Sequence, residues 1–248
     1  LISMKLFKNI KKWLENQEHL FYLFLFILIV PNIVLCFTEP LPVMAKVANV
    51  LLPFGCYYLL MTLSRNCGKM LWILFLFLFF GAFQIVLLYL FGQSIIAVDM
   101  FLNLVTTNSS EALELLDNLT PAIIAVIILY VPALILGTIS IIRKRKLSVE
   151  FIRRERKRAF IVFGISLLSL AGAYVQDSGY ELKSDLYPLN VCYNVGLAFQ
   201  RTVLTQNYHQ TSKDFTFHAK ATHPKEEREV YVMVIGETSR ALNWQLYG

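Results

Sequence analysis

Five runs of this chain, at 20–37, 41–63, 70–91, 121–142 and 159–175, are as long as a bilayer-crossing helix and almost free of charge. A hydrocarbon core of about 30 Å takes roughly 17–25 apolar residues in helical form. Inside lipid the backbone polar groups must be satisfied within the segment, which leaves such a run little choice but the helix. The expected fold class is therefore an α-helical membrane protein with five transmembrane helices. Composition agrees: 56% hydrophobic and 16% charged residues over 248 positions is too apolar and too charge-poor for a soluble domain of that length. The second run carries Lys46 and Asn49 near its start, where a lysine snorkels to the interface. Pro31 and Pro53 are expected to kink their helices, which lipid-embedded helices tolerate where neighbours cover the freed carbonyls. The fifth run stands at the lower length limit.

The charges orient these spans. Fifteen of the 23 lysines and arginines fall in the N-terminal segment (Lys5, Lys8, Lys11, Lys12), at Arg65 and Lys69, and in the loop from Arg143 to Arg158. The alternate connections are poor in basic residues. The first holds Glu39, with Lys46 at its edge, and the outer loop 92–120 holds Asp99, Glu111, Glu114 and Asp117 and no basic residue. The positive-inside rule then places the N-terminus in the cytoplasm and everything after Val175 outside. The net charge of +6 raises the question of nucleic acid, but such a surface needs basic residues interleaved with aromatics on a folded face, so no nucleic-acid partner is expected. The basic loop suits anionic lipid headgroups, although topology alone accounts for it. In 1–19, Phe7, Ile10, Trp13 and Leu14 alternate with lysines at helical spacing, which predicts a helix lying in the inner interface. Met4 reads as the initiator, and no cleavable signal peptide is expected.

Beyond the last span the character changes. In 176–229, Pro188 opens an apolar helical pattern of Leu189, Cys192, Tyr193, Phe199 and Val203. Two readings fit it: an amphipathic helix on the membrane surface, or a helix packed on a soluble domain. Residues 206–229 read as a polar linker. The run Val230 to Ile235 is near-continuously apolar and far too short to span, which is the pattern of a buried parallel strand. Segment 230–248 is thus expected to open an α/β domain that this chain carries only in part. Cys36, Cys56, Cys67 and Cys192 show no CxxC pair or metal spacing and read as small apolar residues, with a Cys36–Cys192 disulfide left open. The four histidines are scattered without ligand spacing.

Two places carry chemistry. Glu237 follows the predicted strand and Gly236 directly, and ligands of open α/β sheets bind beyond the carboxyl ends of strands. A carboxylate there suits zinc or another divalent ion, while an acidic residue near a helix start explains it equally. Thr238 and Ser239 have no base in view. The second place is the outer loop, where Asn103, Thr107 and Glu111 fall at i, i+4 and i+8 on one helical face, with Glu114 beside them. Val105, Ala112, Leu113 and Leu116 occupy the opposite face, so an amphipathic helix with a solvated polar stripe also fits.

The segment VMVIGETSRALNWQLYG resembles the opening of the catalytic domain in the phosphoethanolamine transferases of the alkaline phosphatase superfamily. Their pattern is an apolar strand, Gly-Glu-Thr or Gly-Glu-Ser, an arginine, an asparagine, and Leu-Tyr-Gly or a close variant. Here these are Gly236, Glu237, Thr238, Arg240, Asn243, Leu246, Tyr247 and Gly248. Five transmembrane helices before an outer catalytic domain are also what that family has. The resemblance implies transfer of phosphoethanolamine from phosphatidylethanolamine to an envelope glycolipid such as lipid A, in the bacterial inner membrane, with the C-terminal part periplasmic. It implies zinc as cofactor and Glu237 as its first ligand in this chain. It implies that Asn103, Thr107 and Glu111 line the cavity that binds the lipid headgroup, where a carboxylate suits the ammonium and neutral hydrogen-bonding groups suit the phosphate. The nucleophilic threonine and an Asp-His pair completing the zinc site are expected beyond Gly248, so Thr238 is not the nucleophile and the chain by itself is expected to be catalytically inert. Two rivals remain: a glycerophosphate transferase resembling lipoteichoic acid synthase, and a non-catalytic membrane anchor or transporter subunit. Few ionisable residues within the spans speak against a transport pathway.

Overall fold

A computed structural model of the protein describes residues 13–91 and 109–207, with 213 and 215; for 90–91, 109–118 and 206 it describes the backbone alone. The first long helix, α1 (Gln17–Thr38), starts where the Asn16 side chain accepts from the Glu18 N–H at 2.9 Å, satisfying one of the free donors of the first turn. α2 (Val43–Met61) returns across the bundle and contains Pro53. Asn66 caps α3 (Cys67–Ile73) by accepting from the Lys69 N–H at 2.8 Å, and α4 (Phe75–Phe91) follows after one residue. α5 (Ser109–Ile142) and α6 (Val149–Gln176) are the longest helices, and α6 is capped by Ser148 accepting from the Phe151 N–H at 3.0 Å. The short α7 (Leu182–Asp185) and α8 (Leu189–Gln206) complete the described chain.

Four of these helices are long and apolar enough to cross a membrane: α1, α2, α5 over Leu119–Ile142, and α6. A fifth span exists if α3 and α4 are one crossing, because the two are bent by 63° at Leu74. The run 70–91 reads as one uninterrupted helix in sequence, and neither proline nor glycine stands at the break. The bend sits nearly two turns beyond Gly68, where α3 is held tightly to α5. A Cβ on Gly68 would come within 2.2 Å of the Gly137 carbonyl oxygen, so a glycine at 68 is what lets the backbones meet there. Among the described residues there is no strand; the expected strand 230–235 and most of the expected linker 206–229 lie outside them.

α1 is the central helix. More than half of its apolar window (56%) is shielded inside the protein against 17% for α6, and Phe21, Phe24, Leu28 and Leu71 form one core with Tyr58, Met61 and Phe151. α6 packs mainly on α2 and presents Phe160, Ile161, Ile165 and Leu168 outward. Apolar exposure on that scale is the surface expected of a helix facing lipid.

At one end of the bundle, α1, α3 and α6 begin while α2 and α5 finish, and two of the basic segments of the sequence, 65–69 and 143–158, meet there, while Lys5, Lys8, Lys11 and Lys12 lie outside the described residues. Leu147 N–H donates to the Arg65 carbonyl at 2.7 Å, and Arg65 Nε returns a bond to the Leu147 carbonyl at 2.9 Å. Asn66 Nδ2 donates to the carbonyls of Ser140 (3.2 Å) and Arg145 (2.9 Å), and Arg145 Nη1 donates to the Glu15 carbonyl at 2.9 Å. The expected loop from Arg143 to Arg158 is shorter than read from sequence, because Ser148 starts α6 early and places Arg153 to Arg158 on a helix. Of the expected interfacial helix 1–19, only residues from Trp13 onward are described, with Trp13 half-exposed and stacked on His19 at 4.9 Å.

Candidate functional site

The opposite end of the bundle is where the outer loop and the post-span segment join it. Asn32 lies in the middle of an apolar helix, and an unpaired amide there would be costly. Its Nδ2 instead donates to the Asn49 carbonyl at 2.9 Å and to the Tyr187 carbonyl at 2.7 Å. Asn49 Nδ2 donates to the Asp185 carbonyl at 2.6 Å, and the Tyr180 hydroxyl donates to Asn49 Oδ1. Gln176 Oε1 accepts from the Met44 N–H at 2.8 Å, closing the end of α6 against the start of α2. Two asparagines on neighbouring helices thus hold the chain between Gln176 and Pro188 onto the bundle. Burial pushes the Tyr180 phenol well above its ordinary range, with the Asp185 charge adding to the effect, so it stays a neutral donor. Burial raises Tyr187 likewise, and its ring joins Leu35, Leu87, Leu88 and Val191 in a second apolar cluster.

Between these groups is a small cavity of about 10 Å³, lined by Asn32, Leu35, Cys36, Leu41, Lys46, Asn49 and Tyr187. That is room for about one water molecule, not for a headgroup. Asn32 Oδ1 has no hydrogen-bond partner among the described residues and is the natural acceptor for it. Sequence alone singled out Lys46 and Asn49 only as residues near a span's start and left Asn32 aside. The available signal was the pairing of two amides, each within an apolar helix that tolerates few polar groups.

Leu87 and Leu88 pack with Tyr187, so α4 rises to this same end, and α5 starts again at Ser109. At 34 residues α5 is roughly 50 Å long, against about 30 Å of hydrocarbon. Its charge-free part begins only after Asp117, so the turns carrying Glu111, Glu114 and Asp117 extend it beyond that part as continuous helix. Glu111 therefore stands on the first turn of α5, where a carboxylate is favoured by the helix N-terminus. Asn103 and Thr107 lie outside the described residues, as does Glu237 with all of 236–248, and of Glu111 only the backbone is described. Among the described residues no three His, Cys, Asp or Glu side chains gather as a metal site. All four cysteines are free, Cys36 and Cys192 included, so the disulfide left open by sequence does not form here.

α8 starts at Leu189, one residue after Pro188, as the apolar pattern implies. Val191 and Asn190 are fully buried, whereas Leu189, Cys192, Tyr193, Phe199 and Val203 are exposed. The face that the sequence pattern picks out is thus open rather than packed on the bundle.

No protein-family model, curated protein or solved structure matches this chain.

Proposed function

We propose that this chain is the membrane part of a phosphoethanolamine transferase, which moves phosphoethanolamine from phosphatidylethanolamine to an envelope glycolipid such as lipid A. The observation that carries the reading is the segment Gly236-Glu237-Thr238, with Arg240, Asn243 and Leu246-Tyr247-Gly248 after it, directly behind the apolar run 230–235. A bundle of four or five candidate spans ahead of that segment supports it, as do the basic residues of 65–69 and 143–158 gathered at one end and the acidic first turns of α5 at the other. On this reading the basic end faces the cytoplasm and the asparagine-latched end faces the periplasm.

The bundle's share of the work is binding and orientation. Donor and acceptor are both lipids, so an enzyme held in the membrane meets them in two dimensions, a proximity advantage. The outward extension of α5 lifts Glu111 to headgroup level, where its carboxylate attracts the ethanolamine ammonium. Asn103 and Thr107, eight and four residues before it in sequence, offer neutral hydrogen bonds to the phosphate. The exposed apolar face of α8 rests on the outer membrane surface and keeps the following domain near the lipid. Zinc, with Glu237 among its ligands and the others beyond Gly248, would polarise the phosphoryl group when bound.

The test is Glu237→Ala in a protein that carries the whole catalytic domain this reading requires. Membrane insertion is expected to be unchanged, while bound zinc and phosphoethanolamine transfer are both lost. Transfer and metal content at wild-type levels would reduce Glu237 to an ordinary surface acid. Glycerophosphate transfer from phosphatidylglycerol by the unaltered protein would favour the glycerophosphate transferase instead.

A further inference from the structure

The basic residues on the first turns of α6 are not equivalent. Arg154 Nε and Arg158 Nη1 reach Glu155 Oε1 at 2.9 and 3.0 Å, so these two arginines are committed to one carboxylate that is itself fully shielded. On the other face of the same turns, Val149, Ile152, Arg153, Arg156, Lys157 and Phe160 recur at helical spacing. With Arg65 they line an open groove of about 490 Å³. Two of its guanidinium groups are fixed in place. Arg156 Nη2 donates to the Thr62 carbonyl at 2.7 Å, and Arg65 Nε donates to the Leu147 carbonyl at 2.9 Å. Neither bond neutralises its charge. Arg153 and Lys157 make no ion pair among the described residues. Glu150, the other acid on these turns, neither lines the groove nor forms an ion pair with any of these cations.

We infer that this groove binds the phosphate headgroup of an anionic phospholipid in the leaflet at the basic end of the bundle. Four cations with no carboxylate among them make a site for a phosphate. Two pre-positioned guanidiniums lose little side-chain freedom on binding one, and their planar forks match its oxygens. The apolar lining selects a lipid over a soluble anion. Phe160 is exposed and lies at the start of the apolar stretch 159–175, one turn from Arg156 and Lys157, so the groove straddles the boundary between headgroup and hydrocarbon. A phosphate held among these four cations would place its acyl chains along Phe160 and the exposed face of α6. Membrane orientation requires only that basic residues be present on this side; it does not require them to line one groove with their carboxylates turned elsewhere. This inference rests on the chain spanning a membrane and is independent of the reaction at the opposite end.

The experiment compares purified full chain with Arg153→Gln/Lys157→Gln and with Lys144→Gln/Lys146→Gln. The second pair removes the same charge from the same side, outside the groove. All four positions are exposed, so folding is expected to be intact, and thermal unfolding of each protein checks it. Retained lipid is counted by native mass spectrometry in detergent supplemented with phosphatidylglycerol or phosphatidylcholine. At roughly 1.5–3 kcal/mol for a hydrogen bond to a charged group, loss of two groove cations should weaken phosphatidylglycerol retention at least about tenfold. The loop pair should leave it within about threefold, and phosphatidylcholine should bind weakly to all three proteins. Equal loss in both double variants would show diffuse attraction and overturn the site, as would equal retention of the two lipids. Inorganic phosphate displacing the lipid at millimolar concentration would make this a soluble-anion site and overturn the lipid assignment.

Discussion

Asn32 Nδ2 and the Tyr187 carbonyl oxygen are 2.7 Å apart although 155 positions separate the residues, and the same amide nitrogen also serves the Asn49 carbonyl. One side chain in the middle of α1 thereby fixes both the second span and the chain that leaves the last one. Asn32→Leu fills the volume but leaves two buried carbonyl oxygens without this donor. At roughly 1–3 kcal/mol for unsatisfied buried groups, the variant is expected to lose about 2 kcal/mol of stability. It should also open the stretch between Gln176 and Pro188 to limited proteolysis. Tyr180→Phe removes one hydroxyl bond to Asn49 Oδ1 and should cost only about 1 kcal/mol. Equal protease resistance of the Asn32 variant and the parent would show that the latch does not hold that segment.

The crossing of α3 and α5 gives a sharper contrast. Gly68→Ala would set a methyl group 2.2 Å from the Gly137 carbonyl oxygen, a backbone atom that yields only if a whole helix moves. A loss of about 3 kcal/mol or more is expected, at the upper end of overpacking costs. Gly164→Ala meets nothing within 4 Å on α6 and should be neutral or stabilising by up to about 1 kcal/mol. Thermal unfolding of the two variants side by side in the same detergent decides it; similar midpoints would mean the close contact is not there.

Glu155 is fully shielded, accepts from the Tyr58 hydroxyl and is paired with Arg154 and Arg158, whose side chains are each about half-exposed. Removing one partner of a fully buried pair costs about 3–5 kcal/mol. Solvent screening of the two arginines lowers the expectation for Glu155→Gln to about 1–2 kcal/mol. Tyr58→Phe should cost less, because the carboxylate keeps both arginines. In a double-mutant cycle the two changes should couple by at least about 0.5 kcal/mol, as residues in one network do. Strict additivity would mean that Tyr58 and Glu155 act separately.

The spans were legible because lipid imposes one requirement on every residue of a crossing segment, and apolar length alone reports it. All five apolar runs are helical, α1 and α2 ending within a few residues of the predicted limits. The 63° break at Leu74 was not legible. It lies beside a contact between Gly68 and Gly137, residues far apart in sequence, and local composition around Leu74 carries no trace of it. Similarly, the nine basic residues from Arg143 to Arg158 read as one loop. The capping serine at position 148 was there to be noticed, but which arginines meet Glu155 and which line a groove is decided by helical phase and packing on α2. At the opposite end, the amides of Asn32 and Asn49 could be flagged from sequence as polar groups in apolar helices. Their partners at Tyr187 and Asp185 could not, since those bonds go to backbone atoms, which every residue type offers alike.

The outward turns of α5 carry the prediction in which a binding role and a solvated helix face differ most. If Glu111 is merely a surface acid at a helix start, Glu111→Ala should change stability by no more than about 0.5 kcal/mol and leave phosphoethanolamine transfer alone. If it holds the ethanolamine ammonium, the variant loses a hydrogen bond to a charged group worth roughly 1.5–3 kcal/mol, about a ten- to hundredfold loss of transfer. Glu111→Gln keeps the shape and one acceptor without the charge, so its activity should fall between the two. Glu114 is the control: it stands one turn later on the same helical extension and lies outside the Asn103, Thr107 and Glu111 pattern. The proteins to compare are purified variants that include the complete catalytic domain, assayed in lipid with unfolding monitored separately. A tenfold or greater loss for Glu111→Ala, with Glu114→Ala close to the parent, supports the headgroup site. Equal activities for the two alanine variants would return this stretch of α5 to a solvated helix and leave Glu237 as the only site residue with a case behind it.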